Sequence, residues 1–206
     1  MRFKGLKWPL RVVLSIASGM AVTAVAADKP TFQAKPATQY PNKQTSEKVT
    51  IAAAAFITDE QAKEAFGKLN PWSYGVLPVL VVIQNDSASA IRLEKLQFRY
   101  VLPDQSKVDA TPAADVKYSR GPNKPKVYSG PLGGVKVGKG KNPLDVPEIG
   151  VRAFAAKMLP PGESASGFVY FETDVTSGAA SLYISGLENA STNKELYYFE
   201  IPLNGK

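Results

Sequence analysis

The chain predicts a mainly β protein, an antiparallel β-sandwich of about seven strands with one short helix. Three observations carry this. Runs rich in β-branched and aromatic residues recur with turn residues about every ten to fifteen positions. Only one segment, Thr58 to Leu69, spaces its apolar residues for a helix. The stretch Val76 to Leu102 is an apolar run, a polar turn and an alternating run, which reads as a β-hairpin.

The N-terminus alters the bulk numbers. Arg2, Lys4, Lys7 and Arg11 precede an apolar segment from Val12 to Val25, and Ala24-Val25-Ala26 is a small-x-small pattern. That is the layout of a secretory signal peptide over residues 1–26, cleaved after Ala26 or Ala27. The segment is short for a membrane span and holds Ser15, Ser18, Gly19 and Thr23. Removing residues 1–26 takes away four basic residues and no acidic ones, so the formal charge falls from +7 to +3. A charge of +3 is no argument for nucleic-acid binding. Without Cys there is neither a lipid anchor on Cys nor a disulfide, so an exported chain must rely on packing. The expected location is the bacterial periplasm or the exterior.

Residues 27–47 are polar, carry Pro30, Pro36 and Pro41, and show no hydrophobic period, which predicts a disordered linker. The alternative is a docking arm using Phe32 and Tyr40. Residues 48–206 form the sandwich domain. Lys48 to Ile57 is its first strand. Thr58-Asp-Glu-Gln61 fits a capping box, and Ala62, Ala65, Phe66 and Leu69 share one helical face, so a helix is expected over 59–69. Asn70-Pro71 ends it. Val79 to Ile83 is apolar at every position, which requires cover on both faces, and the helix is a candidate for one side. The strand is started after Pro78, which cannot donate to a ladder.

Leu96, Phe98, Tyr100 and Leu102 alternate, whereas Ile91 and Leu93 lie in the other phase. The slip at Glu94-Lys95 fits a bulge or a strand changing sheets. A Gly/Pro/Lys-rich loop spans 117–150. Its part from Gly121 to Gly150 holds seven Gly and five Pro, with short edge pieces at Lys124–Tyr128 and Val135–Val137. Val151 to Leu159 is a strand or a helical turn. Gly167–Glu172, Ala180–Ser185 and Glu195–Pro202 read as strands, the last two joined by the loop Asn189–Asn193. Tyr197, Phe199, Ile201 and Leu203 are assigned to one core face.

Met158-Leu-Pro-Pro-Gly-Glu-Ser-Ala-Ser-Gly-Phe-Val-Tyr-Phe171 resembles the penultimate turn and strand of secreted bacterial immunoglobulin-like sandwiches of uncharacterised function. Val79–Asn85 followed by Ile91-x-Leu93 and Leu96-x-Phe98 is similar to their central strands. The resemblance covers roughly 48–203 and implies an immunoglobulin-like fold with no catalytic residues. The helix and the long loop depart from a minimal sandwich.

The chain has no His and no Cys, so Ser-His-Asp, Cys-His and His- or Cys-based zinc chemistry are excluded. Gly133 to Lys139 matches a phosphate-loop spacing, but Gly140 stands where Ser or Thr is needed, and no helix follows. Ser191-Thr-Asn-Lys194 lies in a hairpin loop rather than at a helix start, so it reads as a polar turn. Glu163, Glu172, Asp174, Asp145 and Glu148 are the carboxylates from which a hydrolase of envelope polysaccharide would have to draw a pair, and nothing in their spacing brings two together.

One feature stands out. Lys117, Arg120, Lys124, Lys126, Lys136, Lys139 and Lys141 fall within a short stretch without any acid, with Tyr118 and Tyr128 interleaved. Such a segment attracts anionic glycan, lipid head groups or an acidic envelope protein. The alternative is a solvated loop whose lysines blunt sheet edges. Trp72 and Tyr128 are candidate aromatic contacts; Trp72, beside Asn70-Pro71, is alternatively a packing residue at the helix end. No catalytic residue, cofactor or metal is expected. The functional expectation is an exported, non-catalytic binding or scaffolding module, with the hydrolase and a self-associating structural subunit as alternatives.

Overall fold

A computed structural model describes residues 32–119, 127–129, 135–137, 142–173 and 180–203. In chain order, β1 (Lys43–Ser46) and β2 (Val49–Ala55) lead into α1 (Asp59–Phe66). β3 (Val76–Asn85), β4 (Ile91–Arg92), β5 (Gln97–Val101) and β6 (Lys107–Asp109) follow. Then come β7 (Val127–Ser129), β8 (Val135–Val137), α2 (Pro147–Val151), β9 (Met158–Leu159) and β10 (Ser164–Glu172). β11 (Ser181–Ser185), β12 (Glu188–Asn189) and β13 (Phe199–Pro202) complete the described chain.

The fold is mainly β, and its strands pair antiparallel into a sandwich. The first four-stranded sheet runs β1-β2-β3-β10 and the second β13-β11-β5-β6. Between them lie Val49, Ile51, Leu77, Val79, Val81 and Ile83 from one side and Tyr100, Leu182, Ile184, Phe199 and Ile201 from the other. Strand alternation sends the remaining residues of the first sheet outward. There Ala52, Leu80, Val82, Phe168 and Tyr170 meet a second core built from Ala65, Phe66 and Leu69 at α1, Ile149 of α2, Val116 and Ala37. Sheet one is therefore covered on both faces, and this is why β3 is apolar almost throughout.

α1 forms as its capping box demands. The Thr58 hydroxyl accepts from Gln61 N at 3.3 Å, and the Gln61 side chain accepts from Thr58 N at 3.2 Å. The helix ends at Gly67, short of Asn70-Pro71, because Gly67 turns the chain at φ 72° and its N–H closes on Lys63 O.

Several expectations need correction. Val76 to Leu102 is not a hairpin: β3 pairs with β2 and β10, whereas β5 pairs with β11 and β6. The phase slip marks a strand changing sheets. Ile91–Arg92 joins a small third sheet, β12-β4-β9, before Leu93 to Leu96 turn the chain into sheet two. Pro78 lies inside β3. Its carbonyl accepts from Phe56 N at 2.9 Å, so its missing N–H faces the side where β2 has already ended.

The part of the supposed linker from Phe32 to Ser46 is ordered. Ala37 is fully buried, Phe32 packs edge-on to Phe56 at 5.8 Å and against Phe168 at 5.5 Å, and β1 pairs with β2. Prolines removed the periodicity, but Phe32, Ala37 and the β1–β2 pairing bind the segment to the body. Tyr197 is 71 % exposed rather than in the core, because β13 starts only at Phe199. The edge pieces in the long loop pair with each other, Val127 opposite Val137, and join neither large sheet.

Gly167 sits where the 153–154 segment crosses β10. A Cβ there would come within 2.4 Å of Phe154 Cα. This close crossing lets Phe154 N donate to Phe168 O and Phe168 N donate to Arg152 O, closing part of the outer edge of β10.

Candidate functional site

Of the seven basic residues expected to act together, the structure places two. Lys117 lies in a single helical turn, 116–118, anchored by the fully buried Val116. Its ammonium sits 5.1 Å from the ring centroid of Tyr118, which is 75 % exposed. Lys136 and Tyr128 are register partners in the β7–β8 ribbon. Arg120, Lys124, Lys126, Lys139 and Lys141 fall outside the described residues.

What the structure adds is the base of this segment. The Asn142 side-chain amide donates to the Lys117 carbonyl. Asn142 Oδ1 accepts from Leu144 N at 3.0 Å, and Leu144 is buried in the second core. The chain therefore leaves and re-enters the body at one point. Six of the seven cations fall in the sequence between these two anchors.

Trp72 takes the packing role. It lies in the turn Pro71–Tyr74, half-buried against the inter-sheet core. Asn70 holds the turn: Oδ1 accepts from Trp72 N at 3.1 Å and Nδ2 donates to Asp59 Oδ1 at 2.7 Å. Trp72 and the basic stretch are thus not brought together by any contact among the described residues.

Glu163, Glu172, Asp145 and Glu148 are all exposed, and Glu172 accepts from the Ser119 hydroxyl at 2.8 Å. Asp174 lies outside the described residues.

The structure also brings together a polar cluster that the sequence reading missed. At one end of sheet two, Glu188 Oε1 lies 3.2 Å from Arg92 Nη1 and Oε2 lies 3.1 Å from Lys95 Nζ. Arg92 also donates to Asn193 Oδ1 at 2.6 Å and to Ala190 O at 3.3 Å. The hydrogen bond from Lys95, with the charges of Lys95 and Arg92, holds the Glu188 carboxyl below the usual glutamate value. Glu188 is therefore held as an anion and is a poor proton donor. These residues border a groove of about 310 Å³ lined by Lys95, Gln97, Ser185, Gly186, Glu188, Asn193 and Glu195. Gly186 lines it at φ 84°, and a Cβ there would meet the Lys95 carbonyl at 2.0 Å. The cluster joins residues 92–97 to residues 185–195, and no local motif announces such a pairing.

No family model and no curated protein matches this chain. Solved structures similar to it include the following three. One is a protein from Bordetella pertussis described as ApaA, 12 % identical, covering 80 % of this chain and 91 % of its own, with a TM-score of 0.35. The secreted protein MPT63 from Mycobacterium tuberculosis is 10 % identical, covering 77 % of this chain and 91 % of its own, with a TM-score of 0.34. A functionally unknown protein from Listeria monocytogenes is 12 % identical over 78 % of this chain and 80 % of its own, also at 0.34. Their function does not transfer at such identity. Among the described residues, no helix is long and apolar enough to cross a membrane.

Proposed function

We propose that this chain is an exported, non-catalytic β-sandwich module that binds or scaffolds an anionic component of the cell envelope through the basic segment rooted at Lys117 and Asn142. Export follows from the leader-like residues 1–26. The observation that supports the reading is the closed base: the Asn142 amide donates to the Lys117 carbonyl, so the two ends of the cation-rich stretch of sequence meet on the body. A concentration of positive charge with no acid in the sequence between raises the local density of anions and speeds their capture. The partner class is anionic glycan, lipid head groups or an acidic envelope protein, and not nucleic acid. The exposure of Glu163, Glu172, Asp145 and Glu148 supports a non-catalytic role.

Self-association is disfavoured at the β10 and β13 edges, which are partly covered. Thr111 N and Phe154 N donate to β10 carbonyls, and the Gln44 side chain accepts from Glu200 N of β13 at 2.8 Å.

The test is sedimentation of the purified chain with vesicles containing anionic lipid, and its retention on an anionic glycan, at low and high salt. Binding at low salt that fades at high salt, and is lost when Lys124, Lys126, Lys136, Lys139 and Lys141 are changed to Gln, is the expected result. Binding indifferent to salt, or unchanged in that variant, removes the segment from consideration.

A further inference from the structure

The outer face of sheet two offers a second site, independent of the basic segment. Leu182 and Ile184 of β11 point into the core, so Ser181, Tyr183 and Ser185 point outward. Beside them stand Gln97 and Arg99 of β5 and Glu200 of β13. Tyr183 stacks on Tyr198 with centroids 5.1 Å apart and planes at 24°. The Lys107 ammonium lies 5.2 Å from the Tyr183 centroid, so Tyr183 is engaged as the support. Tyr198 remains 53 % exposed next to the still more exposed Tyr197. Tyr197, with the Lys194 ammonium 5.9 Å from its centroid, and Tyr198 directly precede β13, and two consecutive, largely exposed tyrosines there form a contact surface.

Ser185 and Gln97 are shared between this face and the groove of about 310 Å³. Ser185 and Tyr183 are two residues apart on one strand, so groove and aromatic step are separated by about 7 Å. The groove has a definite hydrogen-bond inventory. Asn193 Oδ1 accepts from Arg92, and Gln97 Oε1 accepts from Arg99 at 3.2 Å. Each contact fixes its amide and leaves the NH2 group without a protein partner among the described residues. Glu195 Oε1 accepts from Gly186 N at 3.2 Å, which leaves Oε2 as an acceptor. The Ser185 hydroxyl supplies both functions. The lining carries Lys95, Glu188 and Glu195, and Arg92 just beside it pairs with Glu188, so these four charges together sum to zero.

Neutral walls with donors and acceptors side by side, leading to an exposed aromatic ring, match a ligand that alternates hydroxyl groups with apolar ring faces. We propose that the outer face of sheet two binds a neutral oligosaccharide, one sugar seated in the groove and its neighbour packed on Tyr198. The internal bonds of Arg92, Arg99 and Gly186 hold the groove's polar groups before the ligand arrives, which lowers the cost of ordering them.

The experiment is calorimetric titration of the purified chain with four neutral hexasaccharides, of β-1,4-glucose, α-1,4-glucose, β-1,4-mannose and β-1,4-N-acetylglucosamine, with amide chemical shifts recorded in parallel. At least one binds, with an affinity that is the same at low and high salt. Shifts concentrate at Gln97, Ser185 and Gly186. Tyr198→Ala and Asn193→Ala, both at exposed positions, each weaken binding by roughly five- to tenfold with unchanged circular dichroism. Should either variant lose its fold, Gln97→Ala takes its place. Absence of binding across the panel, or binding retained in the variants, overturns the assignment. Binding abolished by salt overturns it as well and returns the contact to the basic segment.

Discussion

Asn85 is the polar residue on which the end of the sandwich depends, and replacing it with Asp tests that directly. The side chain is completely buried. Its Nδ2 donates to Ser89 O at 2.9 Å, Leu159 O at 3.0 Å and Pro160 O at 3.1 Å. Its Oδ1 accepts from Ser87 N at 3.1 Å and from the Ser87 hydroxyl at 2.6 Å. The backbone continues the junction, Asn85 N donating to Glu163 O and Gly162 N to Asn85 O. Three chain segments meet on this one amide where β3 leaves sheet one. Asn85→Asp keeps size, shape and the acceptor facing Ser87, but turns the donating group into an oxygen facing three carbonyls. At least two carbonyls lose their donors, at about 1–3 kcal/mol each, so the expected loss is roughly 2–6 kcal/mol. With a urea slope of about 2 kcal/mol/M, the midpoint moves down by roughly 1–3 M at pH 7. The sign of the pH dependence follows. The buried carboxyl has a folded-state pKa above its unfolded value of about 3.9. Its penalty is thus smallest below that value and grows as pH rises toward the folded pKa, because only the protonated acid can donate one bond. The assay is urea unfolding of both proteins at pH 7 and pH 4. A midpoint shift below about 0.3 M at pH 7, or a deficit that widens on acidification, refutes the reasoning.

Gly186→Ala and Gly67→Ala separate strain from collision. Both glycines have positive φ, but a Cβ at Gly67 meets open space whereas one at Gly186 meets the Lys95 carbonyl. Gly67→Ala is expected to cost about 1–2 kcal/mol and Gly186→Ala more than about 3, compared by thermal midpoints; the reverse order refutes the contact. Glu188 contributes to stability above its unfolded pKa, near 4.3, and that contribution is lost as pH falls through its lower folded value. Stability followed from pH 7 to pH 3 is therefore expected to fall less steeply in Glu188→Gln; an identical slope counts against the pairing with Lys95 and Arg92. Phe32→Ala removes ring contacts to Phe56 and Phe168 and a cation–π contact from Arg152, with an expected loss of about 1–3 kcal/mol by chemical unfolding. An unaffected midpoint restores the picture of residues 32–46 as a loose tether.

The sequence alone determined what depends on near neighbours. Strand character followed from side-chain shape and alternation in Leu96 to Leu102 and Gly167 to Glu172. The capping box followed from Thr58 and Gln61, three positions apart. The need for cover on both faces of β3 followed from its uninterrupted apolar run. The absence of His and Cys settled which chemistries were out of reach. Tertiary structure decided what depends on distant partners. Whether β3 pairs with β5 or with β2 and β10 is a contest between ladders of similar local quality, and the sandwich wins because it buries both faces of β3. Phe32 and Ala37 look like linker residues until Phe56, Phe168 and the second core supply a surface for them. The groove around Gly186 exists only because residues near 95 and near 190, separated by half the chain, are held against each other, and no periodicity in one segment carries information about the other.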